Sequence, residues 1–341
     1  MTRSAAEAAA PNTRQRRLLR SVLVLLMVGA IAVALLAAVP GFAGVARELS
    51  HARLGWVVAA VIAELASGFA FVLFFQLVFW RGPRRFAARL AWAEMAASSL
   101  LPAGGAGGLG AGAWVLRSVG MLGRAIAIPS SIVFLLTSAV NVVALAVFGL
   151  ALATGAMSGP RDPALTLGPA LAGLLLIGLF VTIPILVRRH VPGRDGDPSR
   201  VQASLASLAA GIAESERVLH RHDWRLLGAV GYLMFDVATL WLACRAFGSS
   251  LTFAAVAMGY LIGMAANALP IPGGLGAVDA SLVGMMTVYG ASFSTAAAAT
   301  LVYRAVALWV PTLVGALAYA LLRLDLRRPV VVAEVPGTGP S

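Results

Sequence analysis

The chain lacks lysine altogether, has one cysteine, and carries few charged residues of any kind. Without lysine, ATP binding by a Walker-type phosphate loop is excluded. With only Cys244, an intramolecular disulfide and a cysteine-based metal cluster are excluded as well. Charged residues make up 12% of the sequence, whereas soluble domains carry about 25%. A soluble fold of this length needs a more polar surface, so the water-soluble classes of protein are excluded.

What the chain has instead is long apolar runs, and hydrophobic residues make up 60% of its 341 positions. A helix that spans a membrane needs about 20 mostly apolar residues. Six stretches meet this requirement, at about 20–40, 54–80, 125–153, 164–187, 226–247 and 296–322. The sequence therefore predicts an all-α integral membrane protein with six full transmembrane helices.

Two further apolar regions, 90–116 and 253–291, are interrupted in the middle by proline and glycine. Proline removes a backbone donor and glycine is a poor helix former, so each region predicts two half-helices in a re-entrant hairpin. Free N–H groups at half-helix N-termini can bind a phosphate or carboxylate, although a purely structural turn is the alternative. The candidate substrate-binding residues in the breaks are Pro102, Gly104, Gly105, Pro270, Pro272, Gly273, Gly274 and Gly276.

The two halves of the chain resemble each other. A Met-Ala-Ala triplet precedes each break, at 95–97 and 264–266, and Gly-Gly-Leu-Gly follows each, at 107–110 and 273–276. Each half reads as two spans, a broken hairpin and a third span, so the halves would have opposite orientations. This pattern is typical of the inverted repeats of transporters. The predicted membrane repeats are 20–153 and 164–323.

Arginine placement predicts the orientation. The net charge of +12 comes from short arginine clusters between apolar runs, which is the positive-inside pattern and not a nucleic-acid surface. It places the N-terminal tail 1–19, the loop 188–225 and the C-terminal tail 324–341 in the cytoplasm, and we expect a bacterial cytoplasmic (inner) membrane. Within the loop, the amphipathic segment 201–219 is either a connector helix on the membrane surface or a docking helix for a partner.

Several charged residues fall within the apolar segments, where they are functional hypotheses by default. Glu64 and Asp236 lie near the middle of equivalent spans, as supporting charges, and Asp279 follows the second break. Arg304, next to Tyr303, lies inside the last span. One interpretation is an ion pair of Arg304 with Asp279 or Asp236 that holds the bundle together. Another is that Arg304 binds a lipid phosphate bidentately while the carboxylates balance its charge.

Two other charges, Glu94 and Arg245, lie nearer to span ends, where they can reach headgroups. The four histidines fall in predicted loops, and no G-x-S-x-G nucleophile motif occurs. We therefore predict no catalytic residues, no metal site and no cofactor, and we do not expect an enzyme.

The run 269–279, Leu-Pro-Ile-Pro-Gly-Gly-Leu-Gly-Ala-Val-Asp, followed by Tyr303-Arg304, Trp309 and Pro311, resembles the transmembrane region of lysylphosphatidylglycerol synthases. The resemblance covers about 20–323, and the family includes stand-alone flippase-like proteins. It implies handling of a lipid with an anionic or aminoacylated headgroup, moved between leaflets.

Two departures from the family pattern stand out. Residues 130–133 carry no charge where the family often has a Glu-Arg pair, and Asp279 stands where Glu is usual. The first departure puts a symmetric two-site mechanism in doubt. The aminoacyl-transferase domain of the full synthases is absent from this sequence, so we do not expect it to aminoacylate lipid.

Two functions follow as hypotheses. The first is a flippase-like transporter of a membrane phospholipid or lipid-linked intermediate, without an ATPase of its own. The second is a non-transporting scaffold for a lipid-modifying or glycosyl-transferring enzyme partner. Homo-oligomerisation stays open.

Overall fold

The computed structural model describes residues 49–79, 83–100, 113–117, 120, 123–190, 211–265 and 274–327. These residues are mostly helical and include no β-strand. The chain divides into two units, residues 1–51 and 52–341, and the helices named below all belong to the second. In the first unit the structure describes only residues 49–51, of which 49–50 are helical. The predicted first span and the N-terminal tail lie outside the described residues.

Eight helices organise the described part of the chain. They are α1 Leu54–Phe79, α2 Arg84–Leu100, α3 Gly123–Ala153, α4 Pro163–His190, α5 Leu227–Ala246, α6 Phe253–Ala265, α7 Gly274–Val288 and α8 Phe293–Arg327. A 3₁₀ turn at Trp224–Leu226 leads into α5, and residues 211–219 form a short helix that we call the loop helix.

Four of the described helices are long and apolar enough to cross a membrane, at Leu54–Phe79, Ile128–Ala153, Trp224–Ala246 and Phe293–Leu324. The shortest has 23 residues, which at 1.5 Å per residue is about 35 Å, more than the hydrocarbon core of about 30 Å. They coincide with four of the six predicted spans. Helix α4 covers a fifth, although its described apolar part, Pro163–Leu179, is shorter. The chain is therefore a multi-pass membrane protein.

Helices α6 and α7 pack side by side as a hairpin. A Cβ atom added to Gly263 would lie 2.9 Å from Leu282, and Gly259, one turn earlier on α6, contacts Met286, one turn later on α7. The two helices are therefore antiparallel. They have 13 and 15 residues, about 20 Å and 23 Å long, so neither is long enough to cross a bilayer alone.

Helices α1 and α5 approach each other through small residues. A Cβ atom added to Gly228 would lie 2.5 Å from the carbonyl oxygen of Ala70, and one added to Gly231 would lie 3.1 Å from the Ala70 Cβ. Small residues let helix backbones meet closely in membranes, where apolar burial gives no drive for association. The backbones of α1 and α5 are therefore in direct contact.

The contact between α1 and α5 is antiparallel. The amide of Arg53, just before α1, donates to the carbonyl of Ala246 at the end of α5 at 3.0 Å. Near the middle, the hydroxyl of Ser67 donates to the carbonyl of Tyr232 at 2.9 Å. Counting along the antiparallel helices from these two contacts places Glu64 on α1 level with Phe235, next to Asp236, in the middle of α5.

Trp92 of α2 lies between two transmembrane helices. Its ring contacts Gly68 of α1, and its backbone carbonyl contacts Gly315 of α8. A side chain at either glycine would collide with Trp92. Helix α2 is therefore part of the bundle and not a surface segment.

Large apolar side chains cover the outside of the bundle. Such surface is unusual for a soluble protein and expected of one that faces lipid. Examples are Leu54, Val58, Ile62 and Phe69 on α1, Leu171, Leu175 and Leu179 on α4, and Trp309, Leu313 and Leu317 on α8.

Candidate functional site

Asp236, in the middle of α5, is held by two tyrosines from different helices. The Tyr303 hydroxyl on α8 donates to Oδ1 at 3.0 Å, and the Tyr260 hydroxyl on α6 donates to Oδ2. The two rings are perpendicular, with centroids 6.2 Å apart. Both carboxylate oxygens therefore accept from neutral donors, and α5, α6 and α8 meet at this group.

Glu64 of α1 lies opposite Asp236. Only 7% of its surface is exposed, and its carboxyl group is close enough to Asp236 to interact electrostatically. The Thr239 hydroxyl lies beside the Glu64 carboxyl and donates to the Phe235 carbonyl at 2.9 Å. The second oxygen of Glu64, Oε2, has no hydrogen-bond partner among the described residues.

Arg304 of α8 forms an ion pair with Asp279 of α7, in which the guanidinium Nε donates to Oδ1. The ion pair is accessible from outside the protein, because 29% of the Arg304 side chain and 38% of the Asp279 side chain are exposed. Arg304 also interacts electrostatically with Asp236. Of the two acidic partners considered from the sequence, Asp279 therefore makes the direct contact.

Two further groups complete the site. Tyr232, one turn before Asp236 on α5, lies near the carboxyl groups of Glu64, Asp236 and Glu94. We call the whole set the interhelical polar cluster. Its members are Glu64, Glu94, Tyr232, Asp236, Tyr260, Asp279, Tyr303 and Arg304. They bring four carboxyl groups and one guanidinium together inside an apolar bundle.

Sequence reasoning found part of this cluster. Glu64, Asp236, Asp279, Tyr303 and Arg304 come together, and Gly274 and Gly276 open α7 just before Asp279. The remaining candidates in the two breaks lie outside the described residues and stay predictions: Pro102, Gly104, Gly105, Pro270, Pro272 and Gly273.

Tyr260 was missed. A tyrosine in the middle of an apolar half-helix is the signal that would have found it, because its buried hydroxyl needs a partner. Glu94 was expected to reach headgroups, and this stays a prediction. It lies close to Tyr232, since the packing of Trp92 holds α2 within the bundle. Arg245 does lie at a helix end, where its guanidinium sits 5.6 Å from the Trp56 ring centroid.

Comparison with known proteins decides the family. The family model described as "Lysylphosphatidylglycerol synthase TM region" matches residues 19–315. The chain belongs to this family. No curated protein matches it. The matched residues include every member of the interhelical polar cluster, so the cluster lies within the membrane domain of this family, which implies a lipid-related membrane function.

Proposed function

We propose that this protein is a flippase-like transporter that moves a phospholipid or lipid-linked intermediate with an anionic or aminoacylated headgroup between membrane leaflets. The observation that carries the proposal is the Arg304–Asp279 ion pair, which is partly exposed although it lies among apolar helices. Arginine binds phosphate in a planar, bidentate geometry.

A headgroup phosphate can take the place of Asp279 on the guanidinium. Because a phosphate and a carboxylate present similar oxygens to arginine, the exchange leaves the cation paired throughout. Opening of the ion pair on substrate binding would then expose Asp279 to an amine of an aminoacylated headgroup. The partial exposure of both side chains supports such an exchange, since a lipid headgroup could not reach a fully buried ion pair.

The proposal includes the topology predicted from the sequence, with six spans, two re-entrant hairpins and an inverted repeat. Three observations support it. Helices α1 and α5, which occupy equivalent places in the two halves, are antiparallel, and each contributes a carboxyl group at the same level. The α6–α7 hairpin is too short to cross. The arginine clusters favour cytoplasmic termini in a bacterial inner membrane.

The test is headgroup translocation in vesicles that contain the purified full chain. We expect Arg304→Ala to abolish translocation of a fluorescent anionic phospholipid and Arg304→Lys to retain part of it, because lysine keeps the charge but not the bidentate geometry. Arg217→Ala, which removes an exposed arginine of the loop helix, is the matched control. Normal translocation by a folded Arg304→Ala protein would refute the role of Arg304.

The scaffold hypothesis is the second candidate, and the loop helix is where it would act. Ile212 and Val218 bury this helix against the bundle, while Glu216, Arg217 and Leu219 face outward. An enzyme partner would contact this outward face. Substituting the three outward residues tests it. Loss of a co-purifying lipid-modifying enzyme with intact translocation in vesicles would favour the scaffold.

A further inference from the structure

Glu64 and Asp236 form an acidic pair across the contact between α1 and α5. Their carboxyl groups interact, and the nearby guanidinium of Arg304 is already paired with Asp279. Glu64 is almost fully buried, and its Oε2 has no hydrogen-bond partner among the described residues. The two carboxyl groups therefore lie where a charge is poorly solvated, and the Oε2 atom of Glu64 is able to carry a proton.

Hydrogen bonds divide the roles of the two acids. Asp236 accepts two tyrosine hydroxyls, one on each oxygen, and such bonds favour its ionised form. Two carboxylates that share a site of low dielectric cannot both be ionised without a large cost. If one proton is shared by the pair, these bonds assign it to Glu64.

The surroundings of Glu64 suit a neutral carboxylic acid. The Thr239 hydroxyl uses its proton on the Phe235 carbonyl, so its oxygen is free to accept. A protonated Glu64 can donate to that oxygen.

We propose that Glu64 and Asp236 are a proton-binding site that couples lipid movement to proton movement across the membrane. The proposal rests on the proposed transport function. A proton moves from water to a carboxylate oxygen of the pair and later returns to water, and no other bond changes. A phosphate bound at Arg304 adds negative charge near the pair and so favours protonation. Lipid and proton therefore bind cooperatively, each increasing the affinity for the other.

Other titratable groups face the pair from each helix that contributes to the cluster. Asp279 is paired with Arg304 until a headgroup phosphate takes its place, and the three tyrosines are neutral. These groups are Glu94 on α2, Tyr232 on α5, Tyr260 on α6, Asp279 on α7, and Tyr303 and Arg304 on α8.

The proton itself can be observed by infrared spectroscopy of the purified full chain at neutral pH. We expect a carbonyl stretch of a protonated carboxylic acid that weakens in Glu64→Gln and is unchanged in Glu216→Gln, which alters an exposed acid of the loop helix. Glutamine has the shape of a protonated glutamate, so the variant should fold. A band unchanged by Glu64→Gln would overturn the proton site.

Coupling is tested in vesicles with a pH gradient of either direction and a fluorescent anionic phospholipid. We expect the translocation rate of the wild type and of Glu216→Gln to depend on the gradient, and the ratio of rates with and without the gradient to become one in Glu64→Gln. A wild type indifferent to the gradient would overturn coupling, and this test needs no variant. A wild type that moves no lipid would overturn transport itself, while the infrared band would still decide whether Glu64 holds a proton.

Discussion

Gly228 is the residue on which the contact between α1 and α5 depends most directly. It lies about two helical turns before Asp236, and the same contact sets Glu64 opposite Asp236. A Cβ atom at position 228 would lie 2.5 Å from the Ala70 carbonyl oxygen and 2.9 Å from the Phe74 amide nitrogen. Both are backbone atoms, so no side-chain rotation can relieve the collision.

The size of the effect follows from these distances. Carbon and carbonyl oxygen atoms in close contact are usually about 3.3–3.6 Å apart, so Gly228→Ala must separate the helices by roughly 1 Å. Overpacking of this kind costs about 1–3 kcal/mol. The same displacement separates the carboxyl groups of Glu64 and Asp236, so we expect Gly228→Ala to weaken translocation as well as stability.

Unfolding of the purified protein in mixed micelles, followed by tryptophan fluorescence, measures the change. The control is Gly284→Ala, because Gly284 is exposed on α7 and a Cβ there would meet nothing within 4 Å. We expect the control to match or exceed the wild type, by up to about 1 kcal/mol, since alanine favours helix more than glycine. Equal stability of Gly228→Ala and Gly284→Ala would show that the two helices do not meet as described.

Two further predictions concern single charges. Asp279→Asn removes the carboxylate that competes with a headgroup phosphate for Arg304. We therefore expect the variant to bind an anionic headgroup more tightly and to release it more slowly, which would be measured as a lower Kd and a lower translocation rate. Weaker binding would contradict the proposed exchange of Asp279 for phosphate. The hydrogen bond from the Arg225 side chain lowers the pKa of Asp223, just before the 3₁₀ turn, from 3.8 to about 2. Its contribution to stability is therefore complete above a pH of about 4 and lost as the pH falls through about 2. Unfolding of wild type and Asp223→Ala at a series of pH values should show a difference that shrinks over this window, and a constant difference would contradict it.

Four of the six predicted spans coincide with long apolar helices, because bilayer thickness dictates the length of a span. The predicted limits 54–80 and 226–247 agree with α1 and α5 to within a residue at each end. Helix α8 extends beyond its predicted limits at both ends, since Phe293–Arg327 continues through polar turns that hydropathy cannot assign to a span.

The site was less predictable because sequence does not give the rotation of a helix about its axis. Arg304 could be assigned to Asp279 or Asp236 only by knowing which faces of α7 and α5 turn towards α8. The role of Tyr260 depends in the same way on the face that α6 presents. Periodicity gave little help, since these helices are apolar on nearly every face and packing alone orients them.

The antiparallel contact between α1 and α5 has a mechanical consequence. Thr239 and Tyr232 lie about one helical turn on either side of Asp236. An axial shift of α1 by one turn, about 5.4 Å, towards the start of α5 would therefore move Glu64 away from Asp236 and Thr239 and place it level with Tyr232. Sliding of the two helices past each other would thus exchange an acidic neighbour of Glu64 for a neutral one, so that position along the contact and the energetic cost of a charge on Glu64 would change together.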